Sequence, residues 1–161
     1  MIIDFKKISD NSRIWIYQSN RSFQQEEVKS ISSLIEGFLK QWESHGVSLN
    51  SAYLIRYNRF IVIAQDQNTH NATGCSIDSL VHFIQKLEKL FNLCLLDKLN
   101  VSYKQGEFIS YKSLLDFKKM VKDGAVGKNT IVFNNLVQTK LDYLNSWEVP
   151  ASESWHARFF K

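Results

Sequence analysis

The sequence predicts a single domain of the α+β class, and three observations point to it. Short segments rich in β-branched and aromatic residues alternate with longer segments whose apolar residues recur at helical spacing. The chain has 161 residues and is 44% hydrophobic, which is enough to bury one core. It has one proline, two cysteines, no internal repeat and no low-complexity linker. Together these features exclude a disordered protein, a proline-rich linker and a disulfide scaffold.

The first two thirds of the chain predict the order β-α-β-β-α-β, which is that of ferredoxin-like folds. The strands are rich in β-branched and aromatic residues, and each helix has an apolar stripe at intervals of three and four residues. The predicted elements are, in order, a strand at Arg13–Ser19, a helix between a capping box at Ser22 and Gln25 and a stop at Gly46, a hairpin of Ala52–Tyr57 and Phe60–Asp66, a helix from about Ser76, and a strand at Val101–Lys104. We therefore expect a ferredoxin-like core over about residues 13–104.

The last third predicts a C-terminal β-α-β-α extension, residues 105–161, that packs on this core and ends in an aromatic tail. Its elements are a strand at Glu107–Tyr111, a helix at Ser113–Lys122, a strand at Thr130–Phe133, a helix at Val137–Trp147 and the tail at Glu148–Lys161. Four large rings lie within the last fifteen residues: Trp147, Trp155, Phe159 and Phe160. Because so apolar a segment is unfavourable in water, we expect these rings to be buried against the domain or a partner subunit.

Nothing in the sequence predicts a targeting or membrane segment. Met1–Asp10 lacks the apolar core of a signal peptide, and no apolar run approaches the ~20 residues that span a bilayer. We therefore expect a soluble cytoplasmic protein in which Cys75 and Cys94 are thiols.

The stretch Thr69–Asp78 is the main candidate for a site, and the leading hypothesis is a small binding or interaction protein. Gly74 and Cys75 come where a helix is predicted to begin, and free backbone amides and the positive end of the helix dipole favour an anion there. We expect a small anionic ligand at residues 74–78, and the tail is a candidate to close over it. The candidate binding residues are His70, Thr73, Gly74, Cys75, Ser76, Trp155, His156 and Arg158.

One alternative is a thiol-dependent enzyme. Cys75, Asp78 and His82 bring a thiol, a carboxylate and an imidazole into one segment, which suits a nucleophile activated by a base. Against this, Ser76 and Asp78 are ordinary residues at the start of a helix, and a lone cysteine is more often a small buried apolar group. The sequence therefore does not establish an enzyme.

The other alternative is a module that binds single-stranded RNA. The whole net charge of +4 lies in residues 81–161, where lysines are interleaved with Tyr103, Phe108 and Tyr111. Lysines can bind phosphates and the rings can stack on bases. Asp116 and Asp123 lie among the lysines, however, and this favours an ordinary solvated surface. Nucleic acid is therefore not the expected partner.

No metal, cofactor or nucleotide motif is present. The four histidines lack helical pairing, and the two cysteines are too far apart for a zinc knuckle. Gly124–Thr130 resembles a phosphate-binding loop, but Lys122 and Asn129 stand where that motif requires glycine and Ser or Thr. We therefore expect no metal, no cofactor and no ABC-type ATPase activity.

Six parts of the sequence are specific in combination. They are RIWIYQSNRSF, YNRFIVIAQD, GCSIDS with VHFI, LLDKLNVSYKQGEF, NTIVFNNLV and WEVPASESWHARF. Together they resemble a family of short bacterial proteins of unknown function that are often labelled ABC transporter ATPase. The resemblance covers most of the chain and implies a stand-alone, soluble bacterial protein. It implies no activity, ligand or catalytic residue.

Overall fold

The computed structural model describes all residues from Met1 to Lys161, which form two compact units. The first unit comprises Met1–Leu96 together with Gln138–Leu141, and the second comprises Asp97–Val137 together with Asp142–Lys161. Each unit combines helices with antiparallel strands, so the predicted α+β class is confirmed. No helix combines the length and the apolar character that a membrane crossing requires.

The first unit is built on a three-stranded antiparallel sheet. Its elements are β1 (Arg13–Gln18), α1 (Gln25–Gln41), β2 (Glu43–Ser44), β3 (Val47–Ser48), β4 (Ser51–Arg56), β5 (Phe60–Gln65) and α2 (Gly74–Phe91). β5 lies between β1 and β4, which is the order of the first three strands in the predicted ferredoxin-like sheet. β2 and β3 form a separate short hairpin that the sequence analysis did not predict.

The core of the first unit lies between one face of this sheet and the two helices. Side chains alternate between the two faces of a strand, so Ile61 and Ile63 of β5 point to the same face. The helices contribute residues spaced by three and four, as their apolar stripes predict. The fully buried helix residues are Ile31, Ile35, Leu39, Leu80, Ile84 and Leu87.

The first helix begins two residues later and ends earlier than the capping signals suggest. Its capping box is Gln24 and Glu27, in which a carboxylate oxygen of Glu27 accepts the backbone N–H of Gln24 at 2.9 Å. The predicted pair of Ser22 and Gln25 is therefore wrong. Gly46 is not the helix stop, because α1 ends at Gln41 and Gly46, with a φ of 77°, makes the β2–β3 turn. A glycine suits either role, and the sequence alone does not distinguish them.

An ion pair ties the start of α1 to the end of α2. The guanidinium of Arg21 donates two parallel hydrogen bonds to the carboxylate of Glu27, both at 2.8 Å, and a third to the carbonyl of Phe91 at 2.7 Å. The hydrogen bonds from Arg21 and then from the backbone of Gln24 lower the pKa of Glu27 to about 2.

The four-stranded ferredoxin-like sheet is not confirmed, because the fourth predicted strand lies elsewhere. Val101–Lys104 belongs to β6 (Asn100–Gln105), which pairs with its neighbour β7 (Phe108–Ser113) rather than with β1. A two-residue turn joins β6 and β7, and closing so short a loop costs little entropy.

The segment Gln138–Leu141 lies along the outer edge of β1. The N–H of Ile14 donates to the carbonyl of Gln138 at 2.9 Å, and the N–H of Lys140 donates to the carbonyl of Ser12 at 3.0 Å. The ammonium of Lys140 is buried, with hydrogen bonds to the carbonyls of Ile8 at 2.8 Å and Lys6 at 3.2 Å. These bonds fix the segment to the first unit.

The second unit contains a four-stranded antiparallel sheet in the order β7-β6-β8-β9. Besides β6 and β7, its elements are α3 (Leu114–Lys122), β8 (Ile131–Phe133), the larger part of α4 (Lys140–Ser146), β9 (Glu148–Pro150) and two 3₁₀ turns at Ala151–Glu153 and Trp155–Phe160. β9 is not predicted from the sequence, since three residues are too few to show an alternating pattern.

The aromatic tail forms part of the core of the second unit. Trp147 is buried and stacks obliquely on Phe133, with ring centroids 4.9 Å apart. The half-buried Phe159 meets the fully buried Phe117 of α3 edge to face at 5.8 Å. Trp155 and Phe160 pack against the same cluster. The expected burial of these rings is therefore complete for Trp147 and partial for the other three.

Replacing Glu27 with Gln should destabilise the protein by about 1 kcal/mol at pH 7, because the charged, bidentate pair with Arg21 is lost while the glutamine oxygen can still accept the Gln24 N–H. The folded pKa of about 2 lies below the ordinary value of 4.5 for a glutamate, so the stabilisation is present above pH 4.5 and is lost as the pH falls towards 2. Urea denaturation at several pH values should show the difference from wild type shrinking as the pH falls. Glu26→Gln, an exposed neighbour in the same turn, is the control. A difference that does not depend on pH would contradict this account.

Candidate functional site

The start of α2 leaves two backbone amides without an acceptor. Thr73 caps the helix in an extended conformation, with φ −106° and ψ 173°. Its hydroxyl accepts the N–H of Ser76 at 3.4 Å, and its own N–H donates to the Ser76 hydroxyl at 2.7 Å. The N–H groups of Gly74 and Cys75 have no acceptor in the chain, and the first turn contains no acidic residue. An anion would satisfy both groups.

The loop before α2 is held by hydrogen bonds to the β2–β3 hairpin and to β5. The imidazole Nε2 of His70 donates to the carbonyl of Ser44 at 3.2 Å, in the tautomer that carries this proton. The Ser44 hydroxyl donates to that of Thr73 at 3.2 Å. The side-chain amide of Gln65 donates to the carbonyl of His70 at 2.5 Å. His70 and Thr73 thus help to position the loop.

A row of three polar side chains crosses the sheet of the first unit at the end nearest this loop. Arg13 and Ser51 are the two cross-strand partners of Gln65, so all three side chains share one face of the sheet. We call them the polar row. Gln65 and Ser51 are fully buried. The Oε1 of Gln65, the Oγ of Ser51 and the Nε of Arg13 are buried without a hydrogen-bond partner.

A chain of ring contacts connects the polar row with the start of α2. The guanidinium of Arg13 lies over the ring of Trp15, 5.3 Å from its centroid. Trp15 meets Trp42 edge to face at 5.7 Å, and the indole N–H of Trp42 donates to the carbonyl of Ser76 at 2.8 Å. No carboxylate pairs with Arg13. The end of the first unit that holds the free amides therefore also holds a half-buried, uncompensated positive charge.

The three residues of the predicted thiol site lie along one side of α2 and are all exposed. Cys75, Asp78 and His82 are spaced by three and four positions, but no hydrogen bond joins their side chains. Cys75 is a free thiol, as is the exposed Cys94. The structure shows no base in contact with the thiol, and the catalytic hypothesis stays a prediction.

The candidate residues of the tail belong to the second unit. His156 is fully buried; its Nδ1 lies 2.7 Å from the Ser154 hydroxyl, and its Nε2 has no partner. Burial, and secondarily the charge of Arg158, lower the pKa of His156 to about 4. Arg158 itself is exposed and lies over the rings of Trp155 and Phe159, at 5.0 and 5.2 Å from their centroids. His156 is thus a core residue of the second unit.

Sequence reasoning missed the polar row, although a weak signal exists for it. On the face of the sheet that meets the helices, each strand has two apolar residues and one polar residue, which is the last residue of β5 but the first of β1 and β4. In β5 the three residues are Ile61, Ile63 and Gln65. The alternation is visible in each strand, but the pairing that places the three polar residues side by side is not.

The chain matches no protein-family model, no curated protein and no solved structure. No group of three or more His, Cys, Asp or Glu side chains is arranged to hold a metal ion.

Protonation of the buried His156 should destabilise the protein in acid. Because its folded pKa of about 4 is below the ordinary histidine value of 6.5, the unfolded chain binds the proton more tightly and stability falls as the pH drops from 6.5 to 4. We expect the free energy of unfolding to fall by on the order of 2 kcal/mol. Thermal melts at several pH values across this range measure the loss. His156→Phe keeps an aromatic ring at this position but cannot be protonated, so it should flatten the dependence of stability on pH. His82→Gln, at an exposed site, should leave that dependence as it is in wild type. A His156→Phe profile as steep as that of wild type would show that other groups cause the loss.

Proposed function

We propose that this protein binds a small anion at the start of α2. The observation that supports this most is the pair of backbone N–H groups at Gly74 and Cys75, which have no acceptor in the chain. An 18-residue helix places the positive end of its dipole at these amides. The cap at Thr73 has already satisfied Ser76, so the remaining donors are left for a ligand.

The structure gives less support to the two alternatives. A thiol enzyme needs a base that can reach Cys75, and neither His82 nor Asp78 bonds to it. Single-stranded RNA needs exposed rings for stacking. Among the three rings considered, Tyr103 is buried with its centroid 5.7 Å from that of Phe117, and only Phe108 is strongly exposed, at 78%. One exposed ring is a poor stacking platform.

Two substitutions at Gly74 test the contribution of its backbone N–H to anion binding. Gly74→Pro removes the N–H at the first helical position, where proline is well tolerated, and the extended Thr73 suits a residue before proline. Gly74→Ala keeps the N–H, and the added Cβ meets open space. The two variants therefore differ chiefly in the presence of one donor.

We expect inorganic phosphate, titrated by calorimetry at constant ionic strength, to bind Gly74→Pro about tenfold more weakly than wild type. Gly74→Ala should bind within about twofold of wild type, since a comparable side chain is added without loss of the donor. Circular dichroism checks that the helix persists in both variants. Equal affinity of the two variants, or no phosphate binding to the wild type, would refute the proposed site.

A further inference from the structure

The second unit has an open cavity of about 250 Å³ beside its aromatic tail. The cavity is lined by Lys128, Ser152, Ala157, Phe160 and Lys161, all of which belong to the second unit. Pockets that hold drug-sized molecules have volumes of roughly 300–1,000 Å³. This cavity is slightly smaller, so it suits a smaller molecule.

Backbone hydrogen bonds and apolar packing fix the walls of the cavity. The N–H of Ser152 donates to the carbonyl of Lys128 at 3.0 Å, and the N–H of Ala151 donates to the carbonyl of Thr130 at 2.8 Å. Phe160 is half-buried and packs against the core of the second unit. The walls therefore form part of the fold itself, and a ligand needs to order little of the protein when it binds.

Three polar groups at the cavity have no partner in the chain. Neither Lys128 nor Lys161 forms an ion pair, and the hydroxyl of Ser152 forms no hydrogen bond. Each lysine carries three donors on a flexible four-carbon stem, so its ammonium can turn towards an acceptor in the cavity. No acidic side chain lines the cavity. These groups therefore favour an anion.

The lining also indicates the shape and charge of that anion. Phe160 and Ala157 make part of the wall apolar, and an aromatic ring can stack on that of Phe160. The three donor groups match the three terminal oxygens of a phosphate monoester, whereas a carboxylate has only two oxygens. With a second pKa of about 6, a phosphate monoester carries close to two negative charges at neutral pH, one for each ammonium.

We infer that this cavity binds a small aromatic phosphate monoester, with Lys128, Lys161 and Ser152 around the phosphate and the ring against Phe160. The site has no residue in common with the proposed anion site at α2, and neither proposal rests on the other. Lys128 belongs to the segment Gly124–Thr130, which resembles a phosphate-binding loop in sequence. The strand β8 follows this segment instead of a helix, so lysine side chains supply the positive charge here and a helix dipole does not.

The first test locates the bound ligand by NMR. Phenyl phosphate, added to the ¹⁵N-labelled full chain at pH 7.5 and constant ionic strength, should shift the amide signals of Lys128, Ser152 and Ala157. Inorganic phosphate lacks the ring and should act on the same signals with at least about fivefold lower affinity. Benzoate lacks the third oxygen and should also bind more weakly.

The same spectra separate the two proposals, because the signals of Gly74 and Cys75 report on α2. Shifts at these two residues alone would overturn the inference and leave the proposed function intact. Shifts at the cavity alone would do the reverse. Equal affinities for phenyl phosphate and inorganic phosphate would show that the ring is not bound, and equal affinities for phenyl phosphate and benzoate would show that the phosphate is not recognised. Either result would overturn the inferred ligand class.

Lys128→Gln should lower the affinity for phenyl phosphate about tenfold, because it removes a charged donor. Lys118→Gln is the matched control, since it removes the same charge from an exposed position on α3 and should bind within about twofold of wild type. Ser152→Ala should lower the affinity about threefold and leave the melting temperature unchanged, because its hydroxyl has no partner in the chain. Equal losses in Lys128→Gln and Lys118→Gln would show only a general effect of charge, and the inference would be wrong.

Phe160→Leu tests the aromatic part of the ligand. The wild-type protein should prefer phenyl phosphate to methyl phosphate, and the leucine variant should reduce this preference at least about threefold. Both ligands are measured on the same variant, so a partial loss of folded protein affects them alike and leaves their ratio unchanged. A preference as strong as that of wild type would show that Phe160 does not bind the ring, and would overturn the inference.

Discussion

The first unit depends on the complete burial of its central strand, β5. All six residues of β5 are buried, and β1 and β4 occupy its two edges. Five of these residues are apolar and gain from burial, at roughly 25 cal/mol for each Å² of apolar surface removed from water. Gln65 is the exception. As the last residue of the strand it enters the same environment, where its amide oxygen finds no donor. The position of β5 thus creates both the core and an unpaired polar group next to the loop that precedes α2.

Local features of the fold could be predicted from the sequence, and distant pairings could not. The hairpin of β4 and β5 and the start of α2 follow from patterns within a few residues, so their predicted positions agree with the structure to within two residues. Val101–Lys104 can pair either with the strand next to it in sequence or with a distant one. The periodicity of its side chains does not decide between the two. The β2–β3 hairpin was missed because two residues are too few to show a period.

The same division applies to the candidate site. A helix start is a local signal, and Thr73, Gly74 and Cys75 could be located at it from the sequence alone. Arg13, Ser51 and Gln65 come from three strands and become neighbours only through the register of the sheet. No pattern within one segment indicates that such residues will meet, nor that their polar atoms will lack partners. The polar row is therefore a feature that only the structure reveals.

The segment Gln138–Leu141 has a consequence for synthesis of the chain. It covers the edge of β1 near Ile14, yet it follows β1 by more than a hundred residues in the sequence. While the ribosome makes the intervening residues, β1 presents unpaired backbone groups, and an open strand edge can pair with other chains. The period of greatest risk of aggregation therefore lasts until Lys140 has left the ribosome and its ammonium can bind the carbonyls of Lys6 and Ile8.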